Sequence, residues 1–147
     1  HVFRLLEAEA KPGAEIALER DYDPSVPDGS FDRNQLVQAL LNLARNALQA
    51  VDGRGRIVLR TRALTNASIG NRRYRVVASI QVEDDGPGLP EIVRSRLFEP
   101  CVSDKSGGTG IGLALSHRLA RQAGGRLELV RSGSTGTCFR LVLAREP

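Results

Sequence analysis

The chain has 147 residues, 41% of them hydrophobic and 26% charged, with 21 Lys and Arg against 17 Asp and Glu. That balance belongs to a globular chain with one core of its own and excludes a disordered segment or a collagen-like repeat. The net charge of +4 is spread without a basic run, which argues against nucleic-acid binding, and no stretch approaches the ~18 apolar residues of a membrane span.

The sequence begins at His1 and contains no Met, so the expectation is a piece excised from a longer protein. Residues 1–13 carry Val2, Leu5 and Leu6 in helical spacing before Lys11-Pro12-Gly13. They read as the end of a linker helix from a missing upstream domain, with residues 14–147 forming the domain itself. Ile16-Ala17-Leu18 reads as a short strand, and Asp21 to Gly29, with Pro24 and Pro27, as turn chemistry. Asp32 stands at an N-cap position with Gln35 three residues on, a capping-box pattern that opens a helix over Arg33 to about Val51. Leu36, Leu40, Leu43 and Ala47 form one apolar row, and Val37, Leu41, Ala44 and Leu48 the row beside it. The other face holds Gln35, Gln38, Asn42, Asn46 and Gln49, amides where a solvated face normally carries Lys and Glu.

Arg56 to Leu64 and Tyr74 to Asp84 alternate apolar with polar residues and predict a hairpin, with a polar, mobile loop over 66–73. Pro90 to Leu97 suits a short helix with Pro in its first turn. Phe98 to Thr109 has no periodicity and reads as a long loop. Gly110 to Ala123 returns to helical spacing and stops at Gly124-Gly125. Leu127 to Val130 and Thr137 to Leu143 close the chain as two strands around a Ser-Gly-rich turn. The order predicts an α+β fold, a two-layer α/β sandwich of one mixed, mostly antiparallel sheet with helices on one face.

Three segments carry the chemistry. Glycine makes up 15 residues of the chain, and six of them fall between Gly86 and Gly112, which signals backbone passing close to something. Gly107-Gly108-Thr109-Gly110-Ile111-Gly112-Leu113 opens a helix, and bare N–H groups at a helix N-terminus cradle phosphate. It lacks the Gly-Lys-Ser/Thr of a P-loop and the third glycine of a dinucleotide fingerprint; by itself it fits a plain loop and helix start equally well. Asp84-Asp85-Gly86-Pro87-Gly88 ends a strand, and a buried carboxylate there would accept the exocyclic amino group of adenine; an ordinary turn is the alternative. Asn42 and Asn46, spaced i, i+4, project from one helix face. Amide oxygens suit Mg²⁺ that takes further ligands from nucleotide phosphates, though a solvated polar face also fits.

Taken in order, NLARNALQA (Asn42 to Ala50), DDGPGL (Asp84 to Leu89), RLFEP (Arg96 to Pro100) and GGTGIGL (Gly107 to Leu113) resemble the ATP-binding catalytic domain of sensor histidine kinases. This is a branch of the gyrase, Hsp90 and MutL superfamily with the Bergerat-type fold. Within it the chain looks most like the nitrogen-regulation sensor kinases of the NtrB kind, through Arg20 to Pro27, Asn46 to Ala50 and the run from Pro100 to Ser103 into Gly107. The resemblance implies ATP and Mg²⁺ as cofactors, with Asn46 the metal ligand and Asn42 the second amide beside the phosphates. It makes Asp84 the adenine-reading residue, with Gly86 and Gly88 letting the backbone pass close to the base. Phe98 would anchor an ATP lid whose far hinge and phosphate-contacting helix start are Gly108, Thr109, Gly110, Gly112 and Leu113. Lys105 would reach the terminal phosphates as a point charge, unless it is a solvated loop lysine. Gln49 departs from the family pattern, leaving a phosphate-contacting charge to Lys105 or Arg45, and the loop from Phe98 to Thr109 is short for the family.

The implied activity is transfer of the ATP γ-phosphate to a histidine in the missing upstream dimerisation and phosphoacceptor domain. Onward transfer would go to an NtrC-like response-regulator receiver domain. A PII-type signal protein is a further expected partner, the whole protein is expected to be a homodimer, and a reducing cytoplasm fits the two cysteines, Cys101 and Cys138. A hydrolase of this fold would want a carboxylate one turn before the metal-binding asparagine, and that position is Asn42, a poor base. Two other readings stay open: a serine kinase of the anti-sigma type, and a non-catalytic ATP-gated interaction module. Neither His1 nor His117 has the setting of a phosphoacceptor, and His117 reads as a surface or packing residue.

Overall fold

The computed structural model describes residues 4, 13, 15–24, 33–98 and 112–144. In order they form β1 (Glu15–Asp21), α1 (Arg33–Val51), β2 (Arg54–Ile69), β3 (Arg72–Asp84), α2 (Glu91–Ser95), α3 (Gly112–Gln122), β4 (Arg126–Gly133) and β5 (Gly136–Ala144). The five strands make one sheet in the order β1-β2-β3-β5-β4. Only the β1–β2 pairing is parallel. The expected mixed, mostly antiparallel sheet with a helical layer is what forms. None of the described helices is long and apolar enough to cross a membrane.

The two apolar rows of α1 settle onto the sheet. Leu40, Leu43, Ala44 and Ala47 pack with Ile57 and Leu59 of β2, Val82 of β3 and Phe139, Leu141 and Leu143 of β5, and Ala120 of α3 closes the cluster. Burying a side chain of this size is worth roughly 1.5–3 kcal/mol, so the stripe fixes the rotation of α1 about its axis. Ser116 of α3 lies fully buried between the helices, and its hydroxyl donates to the Ala39 carbonyl at 3.1 Å. A small residue with a satisfied hydroxyl lets the two helices approach closely. At its end α1 unwinds through Asp52 (φ 46°) and Gly53 (φ 90°), and the Gly53 carbonyl accepts the Glu15 N–H at the start of β1. Asp32, the expected cap, lies outside the described residues.

The β2–β3 hairpin differs from the expectation. No polar loop spans 66–73: the strands continue to Ile69 and from Arg72, joined by a two-residue turn at Gly70-Asn71 with Gly70 at φ 60°. Asn66 adopts φ 52° in mid-strand, while pairing stays in step on both sides, Thr65 with Val76 and Ala67 with Tyr74. One left-handed residue breaks the two-residue alternation of side chains. Leu64, Ala67, Ile69 and Tyr74 therefore gather with Val77, Val142 and Ala144 in a second apolar cluster on the sheet face away from the helices. The tip bends far enough for Arg126 at the start of β4 to donate to the Ser68 carbonyl, although β2 and β4 are not neighbours in the sheet.

The rest of that outer face is a ladder of ion pairs across the strands. Arg60 of β2 joins Asp21 of β1 at 3.1 Å and Glu83 of β3 at 3.0 Å. Arg131 of β4 meets Glu83 at 3.1 Å, and Glu128 binds both Arg126 and Arg140. Cys138 lies beneath this layer, and burial pushes its thiol up to about 11, which leaves it protonated and unreactive at neutral pH.

Burial pushes the Glu83 carboxyl up, but the hydrogen bonds and charges of Arg60 and Arg131 outweigh it and hold the group below its ordinary 4.5. A carboxylate depressed in the folded state stabilises above the unfolded value and loses that contribution as pH falls through the folded one. Glu83→Gln is therefore expected to cost about 1 kcal/mol at neutral pH, a pair still partly open to solvent being worth little more. Urea midpoints of variant and wild type should stay apart above pH 4.5 and converge on further acidification.

Candidate functional site

The middle of the amide row of α1 is withdrawn from solvent. Asn42 is only 8% exposed, Asn46 is half-buried, and Gln38 and Gln49 at either end are open to solvent. The position of Asn42 follows from the apolar stripe: with that stripe pinned to the sheet, residue 42 turns toward α3. A Cβ on Gly112, the first residue of α3, would stand 4.0 Å from the Asn42 Cβ. Gln38 Nε2 donates to Asn42 Oδ1 at 3.2 Å, so the orientation of the amide is set. Its Nδ2 is buried and finds no hydrogen-bond partner among the described residues. A buried donor left unmade costs roughly 1–3 kcal/mol, and such groups in native structures point to a missing ligand or a functional role.

Two turns further along α1 the helix meets the end of β3. A Cβ on Gly86 would lie 2.8 Å from the Ala50 carbonyl oxygen, so only glycine passes there. Asp84, the last residue of β3, is 6% exposed, and its Oδ1 accepts the Gly86 N–H at 2.9 Å. The neighbouring Asp85 is engaged elsewhere, where its Oδ1 accepts the Arg56 N–H at 2.8 Å and ties the loop to the start of β2. Gly88 takes φ 89°, and a Cβ there would come within 2.5 Å of the Gly133 carbonyl oxygen. The contacts of Gly112 at residue 42 and of Gly86 at residue 50 are eight residues apart on α1, about 12 Å at the helical rise of 1.5 Å per residue. Asn46 lies midway between them.

β4 and β5 supply what sequence reasoning missed. Thr137, 3% exposed, pairs in register with Asp84 across β3 and β5 and with Ser132 across β5 and β4. The two hydroxyl oxygens are 3.0 Å apart, and the Ser132 oxygen also accepts the Leu89 N–H at 2.8 Å. The only local signal for this row was Gly136: at φ 135° it brings β5 against the Asp84 carbonyl, where a Cβ would approach to 1.9 Å.

Phe98 stacks face to face on His117 of α3, ring centroids 4.4 Å apart and planes within 3°. His117, expected only as a surface or packing residue, thus ties Phe98 to α3. Burial, with a smaller effect of Arg121, holds its imidazole below the ordinary value. Phe98 and Leu113 also pack against the main core. Asn42, Gly112, Asn46, Asp84, Gly86 and Gly88 are thus brought along one side of α1 and the loop it meets. Lys105, Gly108, Thr109 and Gly110, and with them Cys101, lie outside the described residues.

Residues 31–147 match the family of histidine kinase-, DNA gyrase B- and HSP90-like ATPases. Over 114 residues, 77% of its length, the chain is 46% identical to the sensory histidine kinase/phosphatase NtrB of Escherichia coli O157:H7, of which that stretch is 33%. Over 144 residues it is 39% identical to NtrB of Vibrio alginolyticus, covering 97% of this chain and 40% of that protein. The chain therefore spans about a third of the length of the curated relatives it matches. Among solved structures it is similar to the histidine kinase domain of the E. coli osmosensor EnvZ (29% identity, TM-score 0.66, 99% of this chain and 84% of that one). It is also similar to full-length ShkA in complex with AMPPNP (26% identity, TM-score 0.68, 99% and 30%). The catalytic domain of ThkA shares the fold at 23% identity and a TM-score of 0.78, over 98% of this chain and 88% of that one.

The orphaned Asn42 donor makes a prediction about the ligand-free chain. Asn42→Leu keeps the branched shape and removes a buried polar group with no partner among the described residues, so it is expected to raise the unfolding free energy by about 1 kcal/mol. Denaturant unfolding without any ligand measures it.

Proposed function

The chain belongs to the histidine kinase-, DNA gyrase B- and HSP90-like ATPase family, and from that premise we propose that it is the ATP-binding catalytic domain of a nitrogen-regulation sensor histidine kinase of the NtrB kind. Residues 14–147 make up this domain, and residues 1–13 end a helix from an upstream dimerisation domain that carries the phosphoacceptor histidine. The phosphoryl group passes from there to a receiver domain of an NtrC-like response regulator, the whole protein works as a homodimer in the cytoplasm, and a PII-type protein regulates it. The observation that carries the reading is the Asn42 Nδ2 donor, buried with no partner among the described residues, one turn before Asn46 and beside the first turn of α3.

The residues fit Mg²⁺-ATP. Neutral amide oxygens are ligands of the kind Mg²⁺ accepts alongside phosphates, and Asn46 supplies one. Gln38 occupies the Asn42 oxygen, which leaves the buried Asn42 nitrogen as a donor suited to a phosphate oxygen. Asp84 is the acceptor for a purine amino group, and Gly86 and Gly88, already against backbone oxygens, keep the loop bare on its open side. Gly112 and Leu113 would offer N–H groups at the start of α3, beside Asn42, and the sequence motif assigns a phosphate-contacting role to Gly108, Thr109 and Gly110. Phe98, held by His117, anchors the segment that leads to Lys105. When bound, Mg²⁺-ATP supplies the phosphoryl group and neutralises its charge. This chain's part is then positioning and exclusion of water, which is most of what phosphoryl transfer asks of a protein. With an amide at position 42 no carboxylate stands one turn before Asn46 to activate water, which supports transfer over hydrolysis. The AMPPNP bound by the similar kinase ShkA supports the same ligand class.

Mg²⁺-ATP at a hundred times its dissociation constant is expected to stabilise the chain by about 2.7 kcal/mol, read as a thermal shift. The chain should phosphorylate a separately supplied dimerisation domain, giving an acid-labile phosphate, and Asn46→Asp should abolish that transfer. Phosphate stable to acid and labile to base would indicate the serine-kinase alternative. Nucleotide binding with no transfer would indicate a gated interaction module, and rapid steady-state hydrolysis by the chain alone would overturn the proposal.

A further inference from the structure

We propose that Ser132 is a positioning residue for purine selectivity, holding the loop from Gly86 to Leu89 so that the Asp84 carboxylate keeps one orientation; this rests on the nucleotide-binding reading above. Asp84, Thr137 and Ser132 stand in one row across β3, β5 and β4. The loop leaves that row at Asp84 and returns to it at Leu89. At its first end Asp84 Oδ1 accepts the Gly86 N–H at 2.9 Å. At its second end Leu89 donates its N–H to Ser132 Oγ at 2.8 Å, and Ser132 shares a 3.0 Å hydrogen bond with Thr137. A serine hydroxyl has one donor and two acceptor positions, enough for both bonds.

Little slack lies between the two ends. Pro87 has a fixed φ, and Gly88 at φ 89° rests on the Gly133 backbone. A shift at Leu89 therefore passes through two stiff residues to the Gly86 N–H, the group that orients Asp84. Without the Ser132 hydroxyl, the Leu89 N–H and the Thr137 hydroxyl each lose a partner, and the loop keeps its ties at Asp84 and Asp85 but loses the one at its far end. An Asp84 carboxylate oriented by a looser Gly86 N–H still accepts a hydrogen bond, but it demands a donor at one place less strictly. Discrimination between adenine, with its exocyclic amino donor, and guanine, with a carbonyl at that ring position, should fall along with affinity. A merely structural role for Ser132 would lower stability and leave that ratio unchanged.

The test is titration of the wild-type chain and of Ser132→Ala, Ser132→Thr and Ser132→Cys with Mg²⁺-ATP and with Mg²⁺-GTP, alongside denaturant unfolding of each variant without nucleotide. Ser132→Ala is expected to weaken ATP binding about ten-fold, the equivalent of one lost hydrogen bond, with a smaller change for GTP, so the selectivity ratio contracts. Ser132→Thr keeps the hydroxyl and should restore the ratio. Ser132→Cys keeps the volume with a weak hydrogen-bonding group and should resemble the alanine variant even where that one folds poorly. A wild-type ATP-to-GTP ratio in both Ser132→Ala and Ser132→Cys overturns the inference, whatever their stability. A wild-type chain that binds neither nucleotide overturns the nucleotide-binding reading itself and takes this inference with it.

Discussion

Three close backbone approaches at the end of β3 constrain everything around Asp84. Gly86 runs against the Ala50 carbonyl of α1, Gly88 against the Gly133 carbonyl of β4, and Gly136 of β5 against the carbonyl of Asp84; a Cβ at these places would lie 2.8, 2.5 and 1.9 Å from an oxygen. No L side chain tolerates such distances, so each glycine admits a neighbouring element as well as a turn. The result is a buried carboxylate at a point where helix, loop and two strands converge. Burying it is costly unless it is hydrogen-bonded, and the loop returns the Gly86 N–H to it. The loop and the carboxylate thus depend on one another: the loop orients Asp84, and Asp84 closes the loop.

At the other end of the same face of α1 the balance runs the opposite way. The apolar stripe fixes the helix rotation, Ser116 fixes its distance from α3, and together they leave Asn42 nowhere to turn. Its oxygen is satisfied by Gln38, and its nitrogen finds no partner among the described residues. A helix selected for stability alone would place an aliphatic residue there. An uncompensated donor inside an otherwise well-packed interface is the sign of a site whose stability is completed by something it binds.

Much of this was legible in the sequence because it is local. The 3.6-residue spacing of Leu36 to Leu48 and the Asp-Gly stop gave α1 with its observed end; alternation gave β2 and β3, and short apolar runs beside turn residues gave the other three strands. What escaped was set by single unusual residues or by register. The hairpin was expected to open at 66–73 because its residues are polar, whereas Asn66 takes a left-handed conformation that bends the strand without unpairing it. Such a bend leaves no periodic trace. Asp84, Gly86 and Gly88 could be picked out together because they are contiguous in a motif. Thr137 and Ser132 are about fifty residues further on and join the site only through strand pairing, which composition and spacing do not encode. The same holds for His117 beneath Phe98: a contact between elements nineteen positions apart, with an aperiodic stretch between them, has no local signature.

Glu83 and Asp84 show how the sheet serves both of its faces at once. Successive residues of a strand point to opposite sides, so two adjacent carboxylates meet opposite fates. Glu83 goes to the outer face and is neutralised by Arg60 and Arg131. Asp84 goes to the helical face and is kept for the site. The arginines that hold Glu83 come from β2 and from β4, the same β4 that carries Ser132. Pinning those strands from behind holds the row of Asp84, Thr137 and Ser132 in register from in front. A weak outer-face ion pair thereby contributes to the geometry of a site it never touches, through the stiffness of the strands that carry both.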